Sequence, residues 1–376
     1  MPAVNSVLVV GGGAAGTGAA ILLAQHGVAV DLVEIKADIT TVGSGITLQG
    51  NALRVLRDLG VWPAVEAAGY GFTTFGLRAP DHAGTLIAEM PDAHTGGPDL
   101  PTALGIYRPH LARILHERAG SFGVKIRFGT TVTTLDQDGT GVDIGFSDGS
   151  SGRYDLVVGA DGVRSAVRGL LGIALETRPT GMGIWRAFTS RPASVTRTDL
   201  YYGGPAYIAG YCPTGESSLY AYLVEDVQDR STLSADEQLA VMRALAEHYH
   251  GPWDEIRALL TDPTRIHYTR FETHLLDGPW HRGRVVLIGD AVHTCPPTLA
   301  QGAALALEDA AVLAELLLAA DAVDDTLWQA FTARRLERTR TVVDASVQLG
   351  QWLLDHEQGD LPGLMGRVAA LVGTRA

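Results

Sequence analysis

The chain has 376 residues, with 29 basic against 42 acidic side chains, a formal charge of −13 and a hydrophobic content of 46%. No basic block is present, which argues against a nucleic-acid partner, and no apolar run is long enough to span a bilayer. Two cysteines, Cys212 and Cys295, lie outside any CxxC spacing, so neither a disulfide framework nor a structural zinc is expected and the expected compartment is the cytoplasm.

The length exceeds what one compact core uses, so two interleaved domains are expected. Val7 to Val10 reads as a buried parallel strand, with no basic segment before it to suggest a secretion signal. Gly11, Gly13 and Gly16 then fit G-x-G-x-x-G, and Ala14 to Gln25 is rich enough in alanine and leucine for a helix. Such glycines let the backbone turn sharply and approach a pyrophosphate whose charge sits on the helix N-terminus. A second strand, Val28 to Ile35, carries Glu34 where a carboxylate accepts the hydroxyls of an adenosine ribose. An acid there disfavours a 2′-phosphate. FAD and NAD both remain open at this point.

Further along, Trp185, Phe188, Tyr201, Tyr202, Tyr207, Tyr211, Tyr220 and Tyr222 crowd a segment broken by GGP (203 to 205) and PTGE (213 to 216). Short alternating strands of this kind predict an antiparallel sheet of hairpins. Before it, "YDLVVGADGVRSAVRGLLG" (154 to 172) runs from an apolar strand through Asp161-Gly162 into a helix. After it, "RGRVVLIGDAVHTCPPTLAQGAALALEDAAVLAELL" (282 to 317) repeats that logic with Gly289-Asp290, two prolines and a long helix beginning after Gln301. An aspartate at a parallel strand's end can take ribityl hydroxyls, and the free N–H groups of Gly302, Ala303 and Ala304 favour the negative charge of a reduced flavin. Thr326 to His356 is helical in pattern, and so is the end of the chain, with apolar residues at Leu361, Leu364, Met365, Val368 and Leu371. That last helix is expected to dock on its own domain, a dimer seam and a membrane contact being the alternatives.

The three motifs in this order resemble the single-component FAD-dependent aromatic hydroxylases, the para-hydroxybenzoate hydroxylase fold family, which includes salicylate hydroxylase and FAD-dependent urate hydroxylase. The resemblance spans nearly the whole chain. It implies an α/β fold: a Rossmann-like FAD-binding domain with an inserted antiparallel-sheet substrate domain and C-terminal helices. The expected divisions are 1–72, 102–178 and 265–320 for FAD, 73–101 and 179–264 for substrate, and 321–376 for helices packed on the FAD domain. It also implies that Gly11, Gly13, Ala14, Ala15, Gly16, Glu34 and Lys36 hold the ADP half. Thr47 would approach the flavin, Arg108 would reach the cofactor from a helix start, and the Val132 backbone would contact adenine. Asp161 and Gly162 would support FAD. Asp290, Gln301, Gly302, Ala303 and Ala304 would embrace the ribityl chain and ring, with Pro297 beside the reacting edge. The family commonly has Gly-Gln-Gly where this chain has Ala300-Gln301-Gly302, and a polar residue at Ala304.

No second G-x-G-x-x-G unit is present, so no dedicated NAD(P)H domain is expected, and the resemblance implies NAD(P)H as a transient co-substrate. The expected reaction is monooxygenation of a phenolic or N-heteroaromatic ring by NAD(P)H and O2 through a flavin C4a-hydroperoxide. Tyr220 shares a strand face with Tyr222, and the resemblance to urate hydroxylase implies that Tyr220 contacts the substrate; sheet packing is the alternative for both. For Arg186 two readings stay open: a salt bridge to the FAD domain, or a fork onto an anionic group of the substrate. A dehydrogenase or reductase on the same fold, or a flavin-binding protein without catalysis, would share the cofactor motifs. Monomer and homodimer are both compatible with the sequence.

Overall fold

The computed structural model describes residues 3–38 and 43–376. Six strands form its first sheet, in the order His281–Arg282, Val285–Leu287, Leu156–Gly159, Ser6–Val10, Ala29–Glu34 and Lys125–Phe128. All but the first of these run parallel. Ser6–Val10 is central and buried along Val7 to Val10, as its unbroken apolar run requires. Parallel pairing of Ser6–Val10, Leu156–Gly159 and Val285–Leu287 brings three carboxyl ends to one edge. The turns at Gly11, Asp161 and Gly289 therefore open side by side, where ligands of such sheets bind. The helices Ala14–Ala24 and Gly302–Ala319 start from that edge and pack on each other, with Gly18 close to Ala310 and Leu307.

The second large sheet has eight strands, in the order His293–Thr294, Ile266–Leu275, Arg178–Ser190, Ser218–Asp226, Ile208–Pro213, Thr198–Tyr202, Thr74–Arg78 and Leu86–Pro91. The predicted hairpins are present within it, but Thr74–Arg78 pairs in parallel with Thr198–Tyr202, so the sheet is mixed. Ile266–Leu275, expected on the nucleotide side of a division at 265, is a strand of this sheet. It satisfies the free edge of Arg178–Ser190, a pairing that no local pattern reveals. On the four strands between 178 and 226, alternate residues separate cleanly. Trp185, Tyr201, Tyr211, Leu219 and Leu223 lie on one face, under the helices Ala235–Ala246 and Pro252–Leu259. Ile184, Arg186, Tyr202, Tyr220 and Tyr222 belong to the other.

A small sheet, Gly45–Gln49, Ala103–Tyr107 and Tyr70–Phe72, joins the two large ones. Bare backbone makes that junction possible. A Cβ at Gly105 would fall 2.0 Å from the Pro213 carbonyl oxygen, and one at Gly45 would fall 2.3 Å from Tyr220 Cβ. The 30-residue helix Asp325–Leu354 spans roughly 45 Å. It packs on Gly302–Ala319 and also on Arg178–Ser190 and Ile266–Leu275, so it rides on both layers and not only on the nucleotide side. The last helix, Leu361–Gly373, buries Leu364, Val368 and Val372 while Met365 faces outward. It docks on its own chain: Arg54 and Arg338 donate to its C-terminal carbonyls, Val372 among them. No helix among the described residues is long and apolar enough to cross a membrane.

Candidate functional site: a cleft at three strand ends

The three loop glycines have three different reasons to be glycine. Gly11 has φ +111°, and a Cβ there would fall 2.2 Å from the Ala160 carbonyl oxygen. A Cβ on Gly16 would fall 2.0 Å from the Gly11 oxygen, so this residue sets the close approach of helix to strand. Gly13 has nothing within 4 Å on that side and faces open space. It is the N-cap of Ala14–Ala24, a helix with no side-chain cap and no acid in its first turn. The N–H groups of Ala14, Ala15 and Gly16 thus belong to an uncapped, electropositive helix start.

Glu34 closes the adjacent strand. Its buried carboxylate accepts the Gly12 N–H at 2.8 Å and the Lys36 N–H at 2.9 Å, which fixes it beside the glycine loop. The Lys36 side chain is exposed and the Val132 side chain is buried. A residue not anticipated from the sequence, His116, donates from Nε2 to the Gly12 carbonyl at 2.8 Å. Burial lowers its pKa, which keeps the ring neutral. It belongs to the helix Arg108–Ser121, and only the fold brings that helix to the loop.

At the central motif the Asp161 carboxylate is engaged locally. It accepts the Ser165 hydroxyl at 2.5 Å and the Val167 N–H at 3.0 Å, steadying the short helix Ala166–Leu170. What the turn presents to open space is Gly162, at φ +82° with nothing within 4 Å of a built Cβ.

The late Gly-Asp loop is gripped from several directions. Asp309 accepts the Gly289 N–H at 2.8 Å and lies 2.6 Å from His293 Nε2. Arg168 donates to the Ala291 carbonyl at 2.7 Å and to the Val163 carbonyl at 2.9 Å, tying the central motif to the late one. His274, on the large sheet, sits 2.9 Å from the Asp290 carbonyl through Nε2 and 2.8 Å from Thr177 Oγ1 through Nδ1. A carbonyl only accepts, so Nε2 carries the proton and the threonine hydroxyl donates to Nδ1. Burial pushes the His274 pKa down to about 4.

Asp290 itself lies deep in the protein yet retains solvent access, which places it on the wall of a cleft. Burial raises its pKa, against the lowering effects of His293 and Arg108. Arg108, first residue of its helix, has the same combination of depth and access. Burial, and then Arg186, lower its pKa; Tyr220 and Asp290 act in the opposite direction. Arg108, Arg186, Tyr220 and Asp290 are thereby brought into one electrostatic neighbourhood, although they come from four separate segments.

The helix Gly302–Ala319 starts beside them. Gly302 faces open space, the helix has no side-chain cap, and Ala304 is buried. Asn51 donates to Gln301 Oε1 at 3.0 Å and to Glu308 Oε1 at 3.2 Å. Ala300 has φ +52°, the left-handed region that glycine occupies without penalty, so the departure from Gly-Gln-Gly has a backbone cost. Below, Arg335 bridges Asp309 at 2.8 Å and Glu308 at 3.1 Å, and Arg338 adds 2.7 Å to Glu308. Burial alone would raise both carboxyls, but these guanidinium groups, with His293 at Asp309, hold them below the usual range.

On the substrate side, Arg186 pairs in register with Tyr222 and donates through Nε to the Tyr220 hydroxyl at 3.2 Å. It also donates to the Thr269 hydroxyl. Among the described residues it forms no ion pair, so the alternative of a salt bridge to the nucleotide side is not what the fold uses. The Tyr220 and Tyr222 rings stand 5.1 Å apart. Thr47 is half-buried on the joining sheet and lies near the Cys212 thiol, whose pKa burial raises to about 11. Pro297 is exposed in the turn Pro297–Leu299, and the neighbouring Cys295 thiol is pushed up to about 12 by burial. Tyr201, Tyr211 and Trp185, part of the aromatic crowd read from the sequence, are on the opposite face of the sheet and line nothing here.

The family model described as "FAD binding domain" matches residues 5–346. The chain belongs to this FAD-binding family, among its FAD-dependent monooxygenases. It is 31% identical to the putative FAD-dependent monooxygenase YetM of Bacillus subtilis (strain 168), across 94% of this chain and 95% of that protein. It is also 31% identical to 2-heptyl-3-hydroxy-4(1H)-quinolone synthase of Pseudomonas aeruginosa (strain UCBPP-PA14), across 92% of this chain and 90% of that one. The crystal structure of Klebsiella pneumoniae HpxO complexed with FAD and uric acid superposes with a TM-score of 0.81 at 23% identity, covering 98% of this chain and 92% of that chain. FAD is the family's cofactor, and the residues present fit it. Two uncapped helix starts and three glycines with open Cβ directions, Gly13, Gly162 and Gly302, border the cleft that Asp290 and Arg108 line.

Proposed function

We propose that the protein hydroxylates a phenolic or N-heteroaromatic small molecule, using NAD(P)H and O2. The carrying observation is Arg186, a guanidinium with no carboxylate partner among the described residues, which donates to Tyr220 and lies in the electrostatic neighbourhood of Arg108, as Asp290 does. That arrangement suits a planar substrate with an ionisable oxygen. Arg186 would orient the oxygen, Tyr220 would hold or pass its proton, and the loop at Pro297 would press the ring toward the flavin. The relatives support this reading, since their names specify a quinolone product and uric acid as ring compounds.

Bound FAD supplies electron transfer and oxygen activation. For holding it we propose Gly11 to Gly16 at the pyrophosphate, Glu34 and Lys36 at the ribose, and the Val132 backbone at the adenine. Thr47, Arg108, the Gly162 backbone and Asp290 would serve the flavin half, together with Gln301 to Ala304. The protein then divides into a FAD-binding part built on the parallel sheet and a substrate part built on the large sheet, with Ile266–Leu275 counted in the latter.

The test is oxygen uptake by FAD-loaded protein with NADH or NADPH, with and without a panel of phenols, aromatic acids and N-heterocycles. Ring-dependent uptake is expected, and Arg186→Met is expected to lower kcat/KM for the accepted ring by about 10- to 100-fold, the worth of a charged hydrogen bond. Turnover that ignores oxygen would point to a reductase, and no turnover with any ring would remove the proposal.

A further inference from the structure

We infer that Asn51 is a positioning residue: it fixes the Gln301 side-chain amide so that the NH2 group donates toward the flavin ring and favours its reduced, anionic form. The inference rests on the seat of the flavin half proposed above, at Gln301 to Ala304, and not on the choice of substrate.

Glu308 sets the polarity. It is 1% exposed, and Arg335 donates to it at 3.1 Å and Arg338 at 2.8 Å and 2.7 Å. With two guanidinium groups against it, the side chain is an ionised carboxylate, which only accepts. The Asn51 atom 3.2 Å from Glu308 Oε1 is therefore Nδ2 and not the oxygen. The same Nδ2 lies 3.0 Å from Gln301, so the Gln301 atom that it meets is the acceptor, Oε1. Holding Oε1 leaves the NH2 group on the opposite arm of the planar amide. Gln301 Nε2 has no partner among the described residues and, unlike Asn51 Oδ1, is not sealed from solvent. Gln301 is only 5% exposed and is the N-cap of Gly302–Ala319, whose first residue faces open space, so this access opens at the helix start that borders the cleft. The side chain thus adds one donor to the free N–H groups of that helix start.

The arrangement is held at a cost. Asn51 is fully buried, and its Oδ1 has no partner among the described residues. An acceptor left unpaired in the interior is destabilising, but turning the amide over would set that oxygen against the Glu308 carboxylate. The backbone is pinned as well: the Asn51 N–H donates to Thr95 Oγ1 at 3.1 Å, and a Cβ on the preceding Gly50 would fall 2.5 Å from the Gly96 nitrogen. Packing alone gives no reason for an orphaned oxygen; what the asparagine supplies is direction.

The experiment is the midpoint potential of bound FAD, read by anaerobic equilibration with a reference dye, in the wild type, Asn51→Leu, Gln301→Leu and the double variant. No substrate or oxygen is present, so the reading is independent of which ring is hydroxylated. Losing a hydrogen bond to an anionic partner should weaken the preference for reduced over oxidised FAD at least tenfold in Gln301→Leu, ~30 mV for a two-electron couple. Asn51→Leu should shift the potential in the same direction, and the double variant should match Gln301→Leu alone, because Asn51 acts through Gln301. A merely structural Asn51 would leave the potential at the wild-type value or add its effect to that of Gln301→Leu, and either result overturns the inference. A wild-type potential in Gln301→Leu removes the proposed seat of the flavin, and the inference with it. If Asn51→Leu does not fold, Asn51→Ser takes its place: its single O–H goes to the charged Glu308, so the same fall is expected, and a wild-type potential there overturns the inference.

Discussion

The two faces of the eight-stranded sheet are made by alternate residues of the same strands, yet they are physically opposite. On one, Trp185 and Tyr201 are fully buried beneath two helices, and Tyr211 ties its hydroxyl to Asp199 at 2.7 Å. On the other, Arg186, Tyr202 and Tyr222 keep partial access and have few fixed partners. The first face provides stability through apolar burial. The second leaves Tyr202 and Tyr222 part-solvated and gives Arg186 only hydroxyl partners, Tyr220 and Thr269, at some cost to stability. The lesson is that aromatic density does not tell a packed face from an open one; incomplete burial of deep residues does.

The largest expected effect would come from breaking the packed face. Trp185→Ala should cost about 3–5 kcal/mol, the usual range for deleting a buried tryptophan. Tyr222→Ala, on the cleft face, should cost roughly 1–2 kcal/mol because its ring is already part-solvated. Urea midpoints of the two variants at unchanged slope check this, and equal losses would erase the distinction between the faces.

A second effect concerns the place where the large sheet grips the late Gly-Asp loop. His274 titrates near 4 in the folded protein instead of near 6.5. Between those values the unfolded chain binds a proton that the folded one does not. Stability is therefore full above pH 6.5 and falls as the pH drops toward 4, by up to about 3 kcal/mol. His274→Gln can still donate to the Asp290 carbonyl and carries no titration, so it should flatten this part of the stability–pH curve. An unchanged curve would remove His274 as its source.

The smallest effect sharpens the comparison at the helix start facing the cleft. Ala300→Gly relieves the left-handed backbone, worth about 1–2 kcal/mol, but restores freedom to the unfolded chain. A net gain of roughly 0.5 kcal/mol is expected by the same denaturation assay. A loss would mean that the Ala300 methyl makes packing contacts that outweigh its strain.

Much of the nucleotide half was legible before folding. Gly11, Gly13, Gly16 and Glu34 belong to one strand–turn–helix–strand unit, and both later strand ends carry their own turn chemistry. The aromatic segment was legible only in part. Alternation correctly places Tyr220 and Tyr222 on one face, but it does not say which face the helices cover, so Trp185, Tyr201 and Tyr211 read as equally good pocket residues. His116, His274 and Arg168 carry no local signature, because each acts on a backbone carbonyl of a distant loop. The same holds for Arg335, whose two carboxylate partners sit on another helix.

By itself, then, the amino-acid order determined where the chain turns sharply and where a phosphate can approach bare backbone. Those properties depend on φ, on missing side chains and on helix starts, all of them local. The tertiary structure alone decided that Arg186, Arg108, Tyr220 and Asp290 share a cleft, and which half of the tyrosines faces it. Strand register and helix coverage are long-range quantities, set by how completely each sheet face can be buried, and no window of sequence contains them.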